Sequence, residues 1–260
     1  MDFASVIFIP ARDNLREKQD QREEIIRICR DITSYSKKGI FSLHRSTTAT
    51  NAIINELLSY FSILGNRLNK IRDMYPDNIH LRGTISGAIE ELIEFFTFGY
   101  YKYNYALLEY NQFLIIMELL MTENDNDRDI IIEFMINDGE LPEMDAEVEF
   151  IDVSDYLMGI FDCTGEIMRL CISQSSGSKG NFELEDTLHN YKFLQSLYNH
   201  YLVLMDYYPG IAINRGVFDN APNSKGNISF NKKLQVFESS IKKIETTLLD
   251  ILVSDQEVII

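Results

Sequence analysis

Long apolar runs at helical spacing, with every proline placed between them, constrain this chain more than any other feature. From about Asp13 to Arg45, the residues Ile25, Ile28, Ile32, Tyr35, Gly39 and Leu43 recur on one side of a helix. From about Thr48 to Met74, Ile53, Leu57, Tyr60, Phe61, Leu64, Leu68 and Ile71 do the same. Further helical patterns cover about Asn78 to Phe98, Tyr103 to Met121, Asp155 to Cys171, Leu184 to Tyr208 and Ser229 to Leu252, with Gly99 as the expected break between the third and the fourth. Pro10, Pro76, Pro142, Pro209 and Pro222 all fall between these patterns. There a residue without an N–H, whose ring blocks the preceding turn, does no harm. The expectation is an all-α fold, a single domain of about seven helices over residues 1–260, because no linker divides the chain. A 45% apolar content over 260 residues can bury a substantial core.

Charge restricts the partners. With 40 acidic and 24 basic residues the net charge is −16, so the isolated chain repels polyanions at long range and needs help to grip a nucleic acid. Acidic residues crowd the stretch from Thr122 to Asp152, which reads as a mobile loop. The residues after Asp125 lack the central glycine and closing glutamate of an EF-hand. Cys29, Cys163 and Cys171 are odd in number, lack metal-type spacing and sit in helical patterns, so they read as buried thiols in a reducing compartment. The first ten residues have no basic n-region, and the most apolar window, Tyr105 to Met121, carries Glu109 and Glu118. These features predict a soluble protein with no membrane partner, cytoplasmic and also able to reach the nucleus, since no basic targeting cluster decides between the two.

Two of the helical stretches share an unusual design. In Asp155 to Cys171, Asp155, Gly159, Asp162, Glu166 and Arg169 fall within about 80° on one face, opposite Leu157, Phe161, Thr164, Met168 and Cys171. In Leu81 to Phe98, Glu90, Glu91 and Glu94 span about 100°, with Gly83 and Gly87 on the same side and Ile85, Ile89, Leu92 and Phe96 opposite. Carboxylates on rigid helices beside glycines suit a divalent metal with room for a phosphate, so the two faces are expected to meet. A solvated acidic face is the competing reading, because like charges at neighbouring helical positions cost only about 0.2–0.5 kcal/mol per pair.

The first long helix carries the main basic stripe, Arg27, Lys38 and Arg45, with Arg30 and Lys37 beside it. Such a stripe suits phosphate contacts or a solvated face. His44, His80, His189 and His200 have no cysteine or second histidine at ligand spacing and are expected in surface or packing roles. Neither a Ser/His/Asp arrangement nor a phosphate-binding glycine loop is readable.

The segments Asp31-Ile-Thr-Ser-Tyr-Ser-Lys-Lys-Gly-Ile-Phe-Ser-Leu-His-Arg45 and Asp155-Tyr-Leu-Met-Gly-Ile-Phe-Asp-Cys-Thr-Gly-Glu-Ile-Met-Arg-Leu-Cys171 resemble the translin-associated factor X branch of the translin family. The resemblance covers most of the chain and is weakest at residues 122–152 and 209–228. It implies a seven-helix fold, assembly with translin into a hollow hetero-oligomeric shell, and a Mg2+-dependent endoribonuclease, with Mn2+ as the alternative ion. Single-stranded RNA is the implied substrate and single-stranded DNA a second ligand. Carried over position by position, the family's ExxE pair falls on Glu91 and Glu94 and its aspartate on Asp162, the implied metal ligands. Glu166 follows as a fourth catalytic carboxylate. Counting forward from Arg82 and Gly87 instead assigns Glu90 and Ile93, so Glu90 stays an alternative in this register. Arg27, Lys38, Arg45 and Arg82 are the expected RNA contacts. The competing function is a non-catalytic helical subunit that stabilises translin and regulates its nucleic-acid binding; a homo-oligomer acting without translin is a third.

Overall fold

The computed structural model describes residues 3–45, 48–175, 181–207 and 225–257. Among them are eight α-helices and no strand: α1 Ile9–His44, α2 Asn51–Met74, α3 Arg82–Asn104, α4 Tyr110–Met121, α5 Asp125–Asn137, α6 Val153–Ser175, α7 Asn181–Tyr207 and α8 Lys225–Glu257. A π-helical turn, Ala4–Phe8, leads into α1, and a 3-10 turn, Ile79–Leu81, leads into α3. The all-α expectation holds, with local differences. Pro10 lies in the first turn of α1 rather than between helices, where the missing N–H would have had no intrahelical partner. Thr50 caps α2, its side chain accepting from the Ile53 N–H. The expected connection at 209–228 and turn at 175–180 fall largely outside the described residues.

The eighth helix comes from the acidic stretch expected to be a mobile loop. Asn124 caps α5 by accepting from the Asn126 N–H, and Asp125 and Asp127 stand in its first turn, where negative charge meets the positive end of the helix dipole. Arg128, Ile131, Ile132 and Met135 are buried. They follow the i, i+3, i+4, i+7 spacing of a helix face. Four buried apolar side chains in this short segment, Ile131, Ile132, Phe134 and Met135, outweigh its net charge, because burial stabilises each by about 1.5–3 kcal/mol while exposed like charges cost tenths.

The expected break at Gly99 is also absent, since α3 runs through to Asn104. Gly99 is there because a Cβ would lie 2.5 Å from the Met135 sulfur and 3.3 Å from Leu43, so α1 and α5 approach the α3 backbone at this point. The chain turns instead at Tyr105, whose φ of 53° closes the helix in the left-handed region.

Helix α3 forms the centre, packing against α1, α5 and α6, while α6 also packs against α7 and α8. Phe61, Phe95 and Phe96 are fully buried where α2 meets α3, with the Phe61 and Phe96 rings 5.3 Å apart. A second aromatic cluster ties α6, α7 and α8 together. Phe161 stacks on Tyr201 at 4.0 Å and meets the edges of Phe230 and Phe237 at 5.2 and 6.2 Å, while the Tyr201 hydroxyl donates to the Leu157 carbonyl at 2.8 Å. This cluster fixes α8 beside the next residue of α6, Asp162. Cys29, Cys163 and Cys171 are all buried and free. Among the described residues, no helix is long and apolar enough to cross a membrane.

Candidate active site

The two carboxylate-bearing helices do meet, and Gly159 makes the approach possible. A Cβ at Gly159 would stand 2.6 Å from the Ile93 Cβ and 2.8 Å from the Glu90 carbonyl oxygen, so α6 lies directly on the α3 backbone. Beside this contact on α3, and one and two turns beyond it on α6, Glu91 and Glu94 of α3 and Asp162 and Glu166 of α6 line an open cleft of about 470 Å³. Lys37 of α1, Phe161 and Gly165 of α6 and Lys232, Lys233 and Val236 of α8 complete it. Four carboxylates thus share one concavity with three lysines.

Lys233 reaches furthest in. Its Nζ donates to Asp162 Oδ2 at 2.6 Å, Glu90 Oε2 at 3.0 Å and the Met158 carbonyl at 3.0 Å. Burial alone would lower its pKa, but Asp162 and Glu90 reverse the sign and hold it above the ordinary lysine value. Lys37 pairs with Glu91 Oε1 at 3.1 Å, whereas Glu91 Oε2 is buried without a partner. His44 Nε2 lies 2.6 Å from Glu166 Oε2 and stacks on Phe98 at 4.6 Å. Burial pushes the Glu166 carboxyl up, but the contacts with His44 and Arg169 bring it below the ordinary value, so it stays ionised. Glu94 is the uncompensated member. Burial first, then the charges of Asp162, Glu91 and Glu166, push its carboxyl up to about 8.

The profile of the Translin family matches residues 20–255. The chain belongs to this family. Relatives include Translin-associated protein X of Pongo abelii, 24% identical over 260 residues, 95% of this chain and 78% of that one. The Translin-associated protein X homolog of Schizosaccharomyces pombe is 25% identical over 244 residues, 92% of this chain and 84% of that one. Two solved structures share the fold: apo-NeC3PO, with a TM-score of 0.56 at 15% identity covering 95% and 97% of the two chains, and AfC3PO, with 0.55 at 18% and the same coverage.

Within this Translin-family fold the predicted residues separate. Glu91, Glu94, Asp162 and Glu166 come together, while Glu90 lies on the other side of the Lys233 ammonium and Ile93 is fully buried against Gly159. Asp155, on the same wheel face as Asp162, is buried and bound to Arg82 and Ser86 instead. Arg82 is therefore engaged away from the cleft. Arg27 pairs with Glu24, Arg45 with Glu56, and Lys38 sits 4.2 Å over the Tyr35 ring; none of the three lines the cleft. Gly159 is a packing contact rather than a gap for phosphate, whereas a Cβ at Gly165 of the same helix, or at Gly87 of α3, would meet nothing within 4 Å, and of these two Gly165 lines the cleft. Sequence reasoning missed Lys37, Lys232 and Lys233 as cleft residues and His44 as the partner of Glu166. Lys37 and His44 are seven residues apart on α1, two turns on one face, a spacing that could have paired them with the two acidic helices.

Among the described residues, no three His, Cys, Asp or Glu side chains converge closely enough to hold a metal ion. The donor set nevertheless fits a hard divalent cation in type and charge: carboxylates only, one with an orphaned buried oxygen and one whose ionisation is suppressed by burial and by its acidic neighbours.

Glu94 makes stability pH-dependent. Between its ordinary 4.5 and its folded value of about 8, the unfolded carboxyl has lost its proton while the folded one keeps it. Stability therefore falls as pH rises through that window, and the loss is complete above it. Glu94→Gln removes the titration. With chelator present, the variant should come close to the parent at about pH 5 and exceed it by about 4 kcal/mol at about pH 8.5 in urea unfolding. Parallel stability profiles for the two proteins would count against this account.

Proposed function

We propose that this chain is the carboxylate-bearing subunit of a translin hetero-oligomer that hydrolyses phosphodiester bonds of single-stranded RNA. The observation that carries the reading is the single cleft into which α3 and α6 bring Glu91, Glu94, Asp162 and Glu166. The names of the relatives support the translin partnership.

In this reading Glu91, Glu94 and Asp162 would hold Mg2+, or Mn2+ in its place. The bound ion would supply a water acidic enough to attack near neutral pH and would offset charge on the phosphate oxygens. Glu166 is kept ionised by His44 and Arg169, both of which engage Oε2, leaving Oε1 to accept a proton from a water. The open space at Gly165 admits a backbone phosphate beside Asp162. Lys37, 62% exposed at the rim, places a positive charge where a second phosphate can rest, and the exposed Arg27, Lys38 and Arg45 extend that helix surface. With a net charge of −16, much of the grip on RNA must come from a more basic translin partner.

The scaffold reading has one observation in its favour: Lys37 and Lys233 already pair internally with Glu91, Glu90 and Asp162, and Glu166 is bound to His44. The deciding experiment is cleavage of a short single-stranded RNA by the chain co-purified with translin, in Mg2+ and in EDTA. Cleavage should require the ion and fall about 100-fold in Asp162→Asn while the assembly keeps its mass. Undiminished cutting by that variant would sink the nuclease, and equal turnover by translin alone would favour the scaffold.

A further inference from the structure

Lys233 is a lysine built into an acidic cleft. Its side chain is only 20% exposed, and its ammonium makes three contacts, to Asp162, Glu90 and the Met158 carbonyl. Its placement is fixed by packing. Phe230 and Phe237 lie three residues before and four after it on the same face of α8, and both press edge-on against Phe161, the neighbour of Asp162. The lysine therefore cannot move far unless α8 lifts from α6.

We propose that Lys233 is a tethered cation that holds Asp162 in place and sets the divalent-cation affinity of the cleft by competing with the ion for that carboxylate. This rests on the reading of the cleft as a divalent-cation site. An ion coordinated by Asp162 meets the ammonium at the same carboxylate and repels it at short range. Lys233 need not leave the cleft, because Glu90 and the Met158 carbonyl still accept from it when Asp162 turns to the ion. Glu90 thereby gains a role that its distance from the cleft lining otherwise leaves unexplained: it is the second anchor of the lysine.

The test is Mn2+ titration of the full chain by calorimetry, with thermal unfolding in EDTA to show that each variant is folded. Lys233→Met should bind Mn2+ about tenfold more tightly than the parent, the effect of removing one adjacent like charge. Lys233→Gln should show the same gain while retaining a donor for the Met158 carbonyl, which covers the case in which the methionine variant fails to fold. Lys233→Arg keeps the charge and should stay within about twofold, and Lys232→Met, an exposed neighbour in the same cleft, within about threefold. Binding seen only when Lys233 is neutralised also supports the proposal. Parental binding with unchanged affinity in both neutral variants overturns this proposal and leaves the metal reading standing; absence of binding in the parent and in both variants overturns the two together.

Discussion

Arg82→Met should destabilise the chain by about 3–5 kcal/mol, the loss expected when one member of a buried ion pair is removed. The partner left behind is Asp155, whose side chain is 1% exposed. It retains the Ser86 hydroxyl, donating at 2.5 Å, and the Asp152 N–H, donating at 3.0 Å, but no cation. Even with Arg82 present, burial outweighs these partners and holds the Asp155 carboxyl above its ordinary value. Without the guanidinium the folded pKa rises further. The folded carboxyl then keeps a proton that the unfolded one has lost, so the deficit should widen as pH rises from about 5 to about 8. Asp155→Asn added to Arg82→Met should recover part of the loss, because the buried charge is gone. Urea unfolding of the four proteins of this cycle measures the coupling. A single variant within about 0.5 kcal/mol of the parent would show that the pair is dispensable.

This pair marks the limit of what the sequence discloses. A helical wheel assigns angles, so it identified Asp162 and Glu166 on one face of α6 and Glu91 and Glu94 on one face of α3, and these four do share a cleft. It assigned Asp155 to the same face, because angle alone does not say that the first turn of α6 abuts the start of α3, where Arg82 and Ser86 wait. Glu90 and Glu91 are adjacent, and only the depth of Lys233 separates their environments. That lysine is more than seventy positions from Asp162 in sequence, so its contact depends on the aromatic docking of α8 and leaves no local signal. Helix α5 was legible in principle. Its stripe from Arg128 to Met135 follows helical spacing, but a count of acidic residues concealed it.

Gly159→Ala should cost about 2–4 kcal/mol net, even though alanine is the better helix former by about 1 kcal/mol. The three atoms nearest the added Cβ are the Ile93 Cβ and Cγ2, both at 2.6 Å, and the Glu90 carbonyl oxygen at 2.8 Å. The Ile93 Cβ and the Glu90 oxygen are placed by the α3 backbone, so no change of rotamer relieves the clash and the helices must separate. Of these three atoms Ile93→Ala removes only Cγ2, so it should not rescue the variant. Gly165→Ala is the control on the same helix. Nothing lies within 4 Å of its added Cβ, so the propensity gain should appear as a small stabilisation. Opposite signs for the two substitutions in urea unfolding would establish that α6 is clamped on α3 one turn before Asp162 and open one turn after it. Equal signs would remove that account of why the carboxylates face each other across a cleft with free space beside them.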